Sequence, residues 1–279
     1  MPQPRSNPQL LDRPAGRIAY DVTGDGPLVI CLPGMGDLRS SYRYTVPVLS
    51  QGGLRAATMD LRGHGDSDAS FDRYDDVAAG QDALALVEHL GSGPAVLIGN
   101  SMGAGAAVWA AAERPDAVAG LALLGPFVRN APTNPVLVSL FKALMSGPWA
   151  PKMWTAYLPK LYPGRKPDDF AEHRDQIAAS MQDRAHRKAF TATTRTSHGP
   201  AEARLDQVQA PALVIMGQKD PDFGDPSAEA TWIAERLHAD VLVVPDAGHY
   251  PHVEYPEQVN PALVRFCRQA TTQTPGPTP

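Results

Sequence analysis

Basic charge is in short supply in this chain: 25 Lys and Arg stand against 30 Asp and Glu, a formal net charge of −5 over 279 residues. Without a basic surplus there is no electrostatic footprint for a phosphate backbone, so a nucleic-acid partner is not expected. Cysteine is nearly absent. Cys31 and Cys267 are the only two, and no group of residues shows metal-ligand spacing, so no metal and no cofactor is called for. The pair reads instead as buried free thiols of a reducing compartment, which points to the cytoplasm. Long apolar runs are missing too, which argues against a membrane span. The opening Met1-Pro2-Gln3-Pro4-Arg5-Ser6-Asn7-Pro8 lacks the apolar segment of a signal peptide.

What is present is an ordinary globular composition, 43% hydrophobic and 20% charged, in a chain long enough to bury a sizeable core, as one large domain or a domain with an insertion. Monomer and dimer are both compatible with it. The informative stretch is Gly99-Asn100-Ser101-Met102-Gly103. It follows the apolar run Ala95-Val96-Leu97-Ile98, which reads as a fully buried strand. The Ala-rich, helix-forming segment from Met102 to Glu113 comes next, with Pro115 just beyond. A serine at so sharp a strand-to-helix turn is strained and projects its Oγ above the sheet. Glycines flank it because a Cβ there would collide across the turn.

A serine hydroxyl is a poor nucleophile at neutral pH. It needs a histidine to take its proton and a carboxylate to orient that histidine. Downstream, the strand-like run 211–216 ends in Gly217-Gln218-Lys219-Asp220, and 240–245 ends in Asp246-Ala247-Gly248-His249. Ser101, Asp220 and His249 thus each follow the carboxyl end of a strand, the edge of an open parallel sheet where sites are built. Asp222, Asp225 and Asp246 are rivals for the acid; Asp225, before Pro226, reads as a turn or helix-start residue. Among the eight histidines, His89, His173, His186 and His238 read as solvated surface residues of helical segments, and His252 points elsewhere from the start of the last helix. His64 reads as a loop histidine bonded to nearby backbone, and His198 has no assignable place. The strand after the serine's helix ends in Gly125-Pro126-Phe127 without a carboxylate, so it does not supply the acid.

The transition state needs donors for its oxyanion. The Met102 N–H at the start of the helix is one, and the Met35 N–H, in Pro33-Gly34-Met35-Gly36 after the strand 28–32, is assigned as the second.

With Asp60-Leu61-Arg62-Gly63-His64-Gly65 added to these motifs, the chain resembles the α/β-hydrolase superfamily from about residue 17 to 270, in its cap-bearing, lipase-like branch with a serine nucleophile. It departs from many relatives in having Pro33-Gly34 where they carry His-Gly. The resemblance implies an α/β fold: a mostly parallel, doubly wound sheet with an inserted helical cap. The expected division is a core of 15–126 and 205–270, a cap of 127–204 without clear strands, and flexible tails at 1–14 and 271–279. A cap placed there hangs over the serine, and Gly34, Phe127 and Trp154 are taken as walls of the substrate pocket. Three functions fit. The first is hydrolysis of a small apolar carboxylic ester or lactone through an acyl-enzyme. The second is carbon–carbon bond hydrolysis of ring-cleavage products, whose carboxylate would want a cation such as Arg39, Arg43, Arg129 or Arg195. The third is a ligand-sensing signalling role.

Overall fold

The structure is a computed structural model, and it describes residues 7–130 and 135–273. The chain begins with β1 (Gln9–Arg13), β2 (Gly16–Thr23) and β3 (Leu28–Leu32), then a 3-10 turn at Arg39–Tyr42, α1 (Val46–Gln51) and β4 (Arg55–Met59). There follow α2 (Asp76–Leu90), β5 (Ala95–Asn100), α3 (Met102–Glu113) and β6 (Val118–Leu124). Between β6 and β7 the described residues form helices alone: α4 (Pro135–Leu144), α5 (Ala150–Tyr157), a 3-10 turn at Leu158–Leu161, α6 (Phe170–Ser180), α7 (Arg184–Thr193), α8 (Gly199–Glu202) and a 3-10 turn at Leu205–Gln207. Alternation then resumes with β7 (Ala212–Gly217), α9 (Pro226–Leu237), β8 (Asp240–Val244), α10 (Pro251–Glu254) and α11 (Pro256–Gln273).

The eight strands make one sheet in the order β1-β2-β4-β3-β5-β6-β7-β8. The pairs β1/β2 and β2/β4 are antiparallel, and the rest are parallel. Because the central strands are buried on both faces, successive residues feed two different cores. Ile30, Leu32, Leu97, Leu121 and Val214 pack with α2, α3 and α9. Val29, Cys31, Val96, Ile98 and Ile215 pack with Leu49 of α1 and with Leu263, Phe266 and Cys267 of α11. Both cysteines are buried free thiols.

Two expectations need correction. Residues 9–13 of the expected loose N-terminal tail form β1, because Leu11 buries against the sheet opposite Ile18. Residues 271–273 of the other tail continue α11. Residues 1–6 and 274–279 of those tails lie outside the described residues.

The helical insertion has a third apolar cluster. Trp154, Leu158, Leu161, Tyr162, Ile177 and Phe190 gather there with Leu38, Tyr250 and Val253, which come from the loops at the carboxyl edge of the sheet. The insertion is therefore packed directly onto the loops that carry the candidate residues.

Candidate active site

Ser101 joins β5 to α3 with φ 56° and ψ −122°, one of two non-glycine residues with positive φ among those described. Such a conformation costs about 1–3 kcal/mol and persists only where its surroundings impose it. Here the Ser101 N–H donates to Leu124 O at 3.0 Å, and its C=O accepts from Phe127 N at 3.2 Å. A Cβ on Gly99 would fall 2.3 Å from Gly103 O, and one on Gly103 would fall 2.4 Å from Leu32 O. Only glycine fits at either place.

The Asp220 carboxylate meets His249 Nδ1 at 2.7 Å, and both residues are buried. Its other oxygen accepts the Asp222 N–H at 3.0 Å. Asp222 stands 3.9 Å from Nδ1 and instead takes the Tyr157 hydroxyl at 2.5 Å. Asp225 caps α9 through the Ala228 N–H, and Asp246 pairs with Lys219 at 2.7 Å. Burial alone would lower the His249 pKa, but the Asp220 charge and hydrogen bond override it and push it up to about 9. The backbone of His249 is held at both its polar atoms. The His249 N–H donates to Leu161 O at 2.9 Å, and its C=O accepts Asn100 Nδ2 at 3.1 Å. The preceding Gly248 N–H donates to Glu254 Oε1 at 2.7 Å. Gly125, with φ 48°, ends β6 beside the pair: a Cβ there would lie 3.2 Å from His249 Nδ1 and 3.3 Å from Asp220 Oδ2.

The loop after β3 lies across the serine. A Cβ on Gly34 would sit 2.8 Å from Ser101 Cβ. No hydrogen bond takes up the Met35 or Met102 N–H among the described residues. Gly36 is gripped from both sides: its N–H donates to His64 Nε2 at 3.0 Å, and its C=O accepts Trp154 Nε1 at 2.8 Å. His64 turns Nδ1 to Arg62 O at 3.0 Å. Burial lowers its pKa to about 4, so it is a neutral loop histidine. His173, expected on the surface, is instead buried against Asp37 at 2.8 Å. The buried carboxylate of Asp37 supplies the reason, since such a group requires a polar partner. His252 is buried and stacked on Tyr42 at 5.0 Å.

Residues 29–262 match the alpha/beta hydrolase family. The chain belongs to it. A 2-hydroxy-6-oxononadienedioate/2-hydroxy-6-oxononatrienedioate hydrolase of Burkholderia vietnamiensis is 25% identical over 264 residues, 91% of each chain. The acetyltransferase component of the acetoin cleaving system of Pseudomonas putida is 30% identical over 254 residues, 90% of this chain, and the match spans 66% of that protein. A thermophilic esterase of Thermogutta terrifontis superposes with a TM-score of 0.76 at 25% identity, covering 95% of this chain and 99% of that one. The protein is a hydrolase.

In this hydrolase Phe127 is half-buried beside the histidine, its ring 5.7 Å from that of His249 and 4.8 Å from that of Phe223. Trp154 is buried in the insertion's own cluster and closes on Gly36, so its contact is with the loop after β3. Three of the four arginines considered for a substrate carboxylate are already committed. Arg39 pairs with Asp21, Asp60 and Asp66; Arg43 pairs with Asp169; Arg129 pairs with Glu229 and lies 3.8 Å over the Trp232 ring. Arg195 is exposed. Asp220, Asp222 and His249 also bring three metal-ligand atoms within 4.8 Å. Two ligands on a tetrahedral ion would stand about 3.3 Å apart at ordinary bond lengths. The 2.7 Å contact between Asp220 and His249 is that of a hydrogen bond.

Several of these residues carry no motif. Glu254 is an acid in the apolar stretch after His249, flanked by Val253 and Tyr255, and that placement is its one local signal. Gly125, Trp154 and His173 have none, because their partners are remote in sequence.

Proposed function

We propose that this hydrolase cleaves small apolar carboxylic esters or lactones through an acyl-enzyme on Ser101. The observation that carries the reading is the buried 2.7 Å pair of Asp220 and His249, whose histidine C=O accepts Asn100 Nδ2 from the residue that precedes a serine held at φ 56°. Asp220 fixes the tautomer with Nδ1–H turned inward, which leaves Nε2 to take the Ser101 proton as Oγ attacks the carbonyl. The Met35 and Met102 N–H groups receive the oxyanion, aided by the positive end of α3. His249 returns the proton to the leaving alcohol, and water then releases the acid by the same steps in reverse.

The insertion acts as the cap over this site, with Phe127 as a pocket wall. An uncharged substrate is favoured over a ring-cleavage acid because Arg39, Arg43 and Arg129 are neutralised by carboxylates. The experiment has two parts. The protein should turn over p-nitrophenyl acetate and butyrate repeatedly and leave a coloured ring-cleavage dienoate unbleached. A sulfonyl fluoride should abolish turnover and, after digestion, be found by mass spectrometry on the peptide containing Met102. Bleaching of the dienoate without ester turnover would transfer the assignment to carbon–carbon hydrolysis. A single slow turnover with a thermal shift would point to ligand sensing.

A further inference from the structure

Two carboxylates stand near one nitrogen of His249, and the proposed reaction uses only the first. Asp220 Oδ2 lies 2.7 Å from Nδ1, and Asp222 Oδ2 lies 3.9 Å from the same atom. Both belong to the loop after β7, where the Asp222 N–H donates to Asp220 Oδ1 at 3.0 Å. The Asp220 side chain has no exposed surface, whereas that of Asp222 keeps 21%. Turned toward Nδ1, Asp222 would be a rival acid. A hydroxyl from the helical insertion holds it: the Tyr157 O–H donates to Asp222 Oδ1 at 2.5 Å. We propose that Tyr157 is a positioning residue of this hydrolase, whose hydroxyl ties Asp222 to the insertion and so leaves Asp220 as the one carboxylate on His249 Nδ1. The proposal rests on the triad reading above and deepens it.

The choice of acid matters in two ways. A base that must aim Nε2 at a serine needs one ring orientation, and two carboxylates competing for one N–H offer two. A second anion against the ring would also stabilise the imidazolium and keep the base protonated. Burial lowers the His249 pKa, and after Asp220 the next charge that raises it is Asp222. Tyr157 restrains that charge without adding another. Burial and the Asp222 charge both push the phenol pKa up, so the hydroxyl keeps its proton wherever His249 can act as a base. A lysine or arginine in its place would bring a cation beside the imidazole, and tyrosine brings a neutral donor.

Tyr157 is also well placed to do this. It lies three residues beyond Trp154 on α5, with the ring centroids 6.0 Å apart. Trp154 takes the Gly36 carbonyl, so one helix grips the loop after β3 with one side chain and the acid loop with the other. The backbone on either side of Asp222 is already fixed. Its own N–H is on Asp220 Oδ1, and the Phe223 N–H donates to Asp220 O at 3.4 Å. The freedom that remains is the Asp222 side-chain torsion, which the hydroxyl removes.

The test asks whether the acid becomes replaceable once the hydroxyl is gone. Tyr157→Phe keeps the ring beside Trp154 and drops the tie. The cost of Asp220→Asn in kcat on p-nitrophenyl acetate is measured in the wild-type and Tyr157→Phe backgrounds. With the hydroxyl present it should be several orders of magnitude. Without it, the freed Asp222 takes Nδ1, and the cost should shrink by about tenfold or more. Adding Asp222→Asn to the double variant should restore the full loss. An equal cost in both backgrounds, whatever the absolute rates, would reduce Tyr157 to a staple between α5 and the loop and overturn the proposal. Proton NMR supplies a readout that needs no turnover, the far-downfield signal of an imidazole Nδ1–H bonded to a carboxylate. It should vanish in Asp220→Asn and return in Asp220→Asn with Tyr157→Phe. If the wild type hydrolyses no ester, the ester reading fails and this signal alone decides: its return upholds the role of Tyr157, and its absence overturns it.

Discussion

At the scale of single residues, the site turns on which carboxylate serves His249. Asp220 makes the 2.7 Å contact, whereas Asp222 is 3.9 Å away and occupied by Tyr157. Replacing the true partner by an amide favours the wrong tautomer and cost about 10⁴-fold in the serine-protease case from which the rule derives. Asp220→Asn should accordingly lower kcat by several orders of magnitude with unchanged circular dichroism, and Asp222→Asn should stay within about tenfold, or ~1.4 kcal/mol of barrier. The pH profile gives an independent readout. The base must be deprotonated to act, and Asp220 raises its pKa against the lowering effect of burial. The acid limb of kcat/KM in the wild type therefore lies above the ordinary imidazole value of about 6.5. In Asp220→Asn it should move down. A crippled Asp222→Asn beside an active Asp220→Asn would reverse the assignment.

At the scale of elements, the helical insertion does more than cover the sheet edge. It holds the loop after β3 through Trp154 on Gly36 and His173 on Asp37. It holds the His249 loop through Leu161 O and through the Gly164 N–H, which shares the Glu254 carboxylate with Gly248. Trp154→Phe keeps an aromatic ring but strands the Gly36 carbonyl, and an unpaired buried acceptor costs about 1–3 kcal/mol. The expected result is a roughly tenfold lower kcat and a lower melting temperature, with the preference for acyl chain length unaltered. Phe127→Ala, by contrast, should shift that preference toward longer chains while kcat on acetate holds. If Trp154→Phe changes chain-length preference at constant kcat, Trp154 is a pocket wall and not a clamp on the loop.

At the scale of the whole molecule, stability on acidification depends on histidines that fold neutral. His252 is fully buried with neither ring nitrogen partnered, and burial lowers its pKa to about 3. Its unfolded pKa is near 6.5, so the unfolded chain binds the proton first, and stability present above pH 6.5 is lost as the pH falls toward 3. His252→Phe removes both unpartnered nitrogens while keeping a ring on Tyr42. Urea denaturation should find this variant more stable than wild type, with the gap widening by about 2 kcal/mol between pH 7 and pH 5. A gap independent of pH would mean that His252 titrates normally in the folded state.

The sequence by itself determined the strand–helix alternation, the turn at Ser101 and the pairing of Asp220 with His249. Each of these has a local cause: an apolar run of strand length, glycines where a Cβ cannot fit, or a polar residue just past a strand end. Asp225 as a helix cap and His64 as a loop histidine bonded to nearby backbone were legible for the same reason. Tertiary structure alone decided β1, whose two leucines sit among prolines and acquire meaning only opposite Ile18. It also decided the grip of the insertion on the site. Trp154 is 118 positions from Gly36, His173 is 136 from Asp37, and His198 is 122 from Asp76. Periodicity and turn chemistry act over a few residues, whereas a buried carbonyl or carboxylate takes whichever donor the packed fold brings to it.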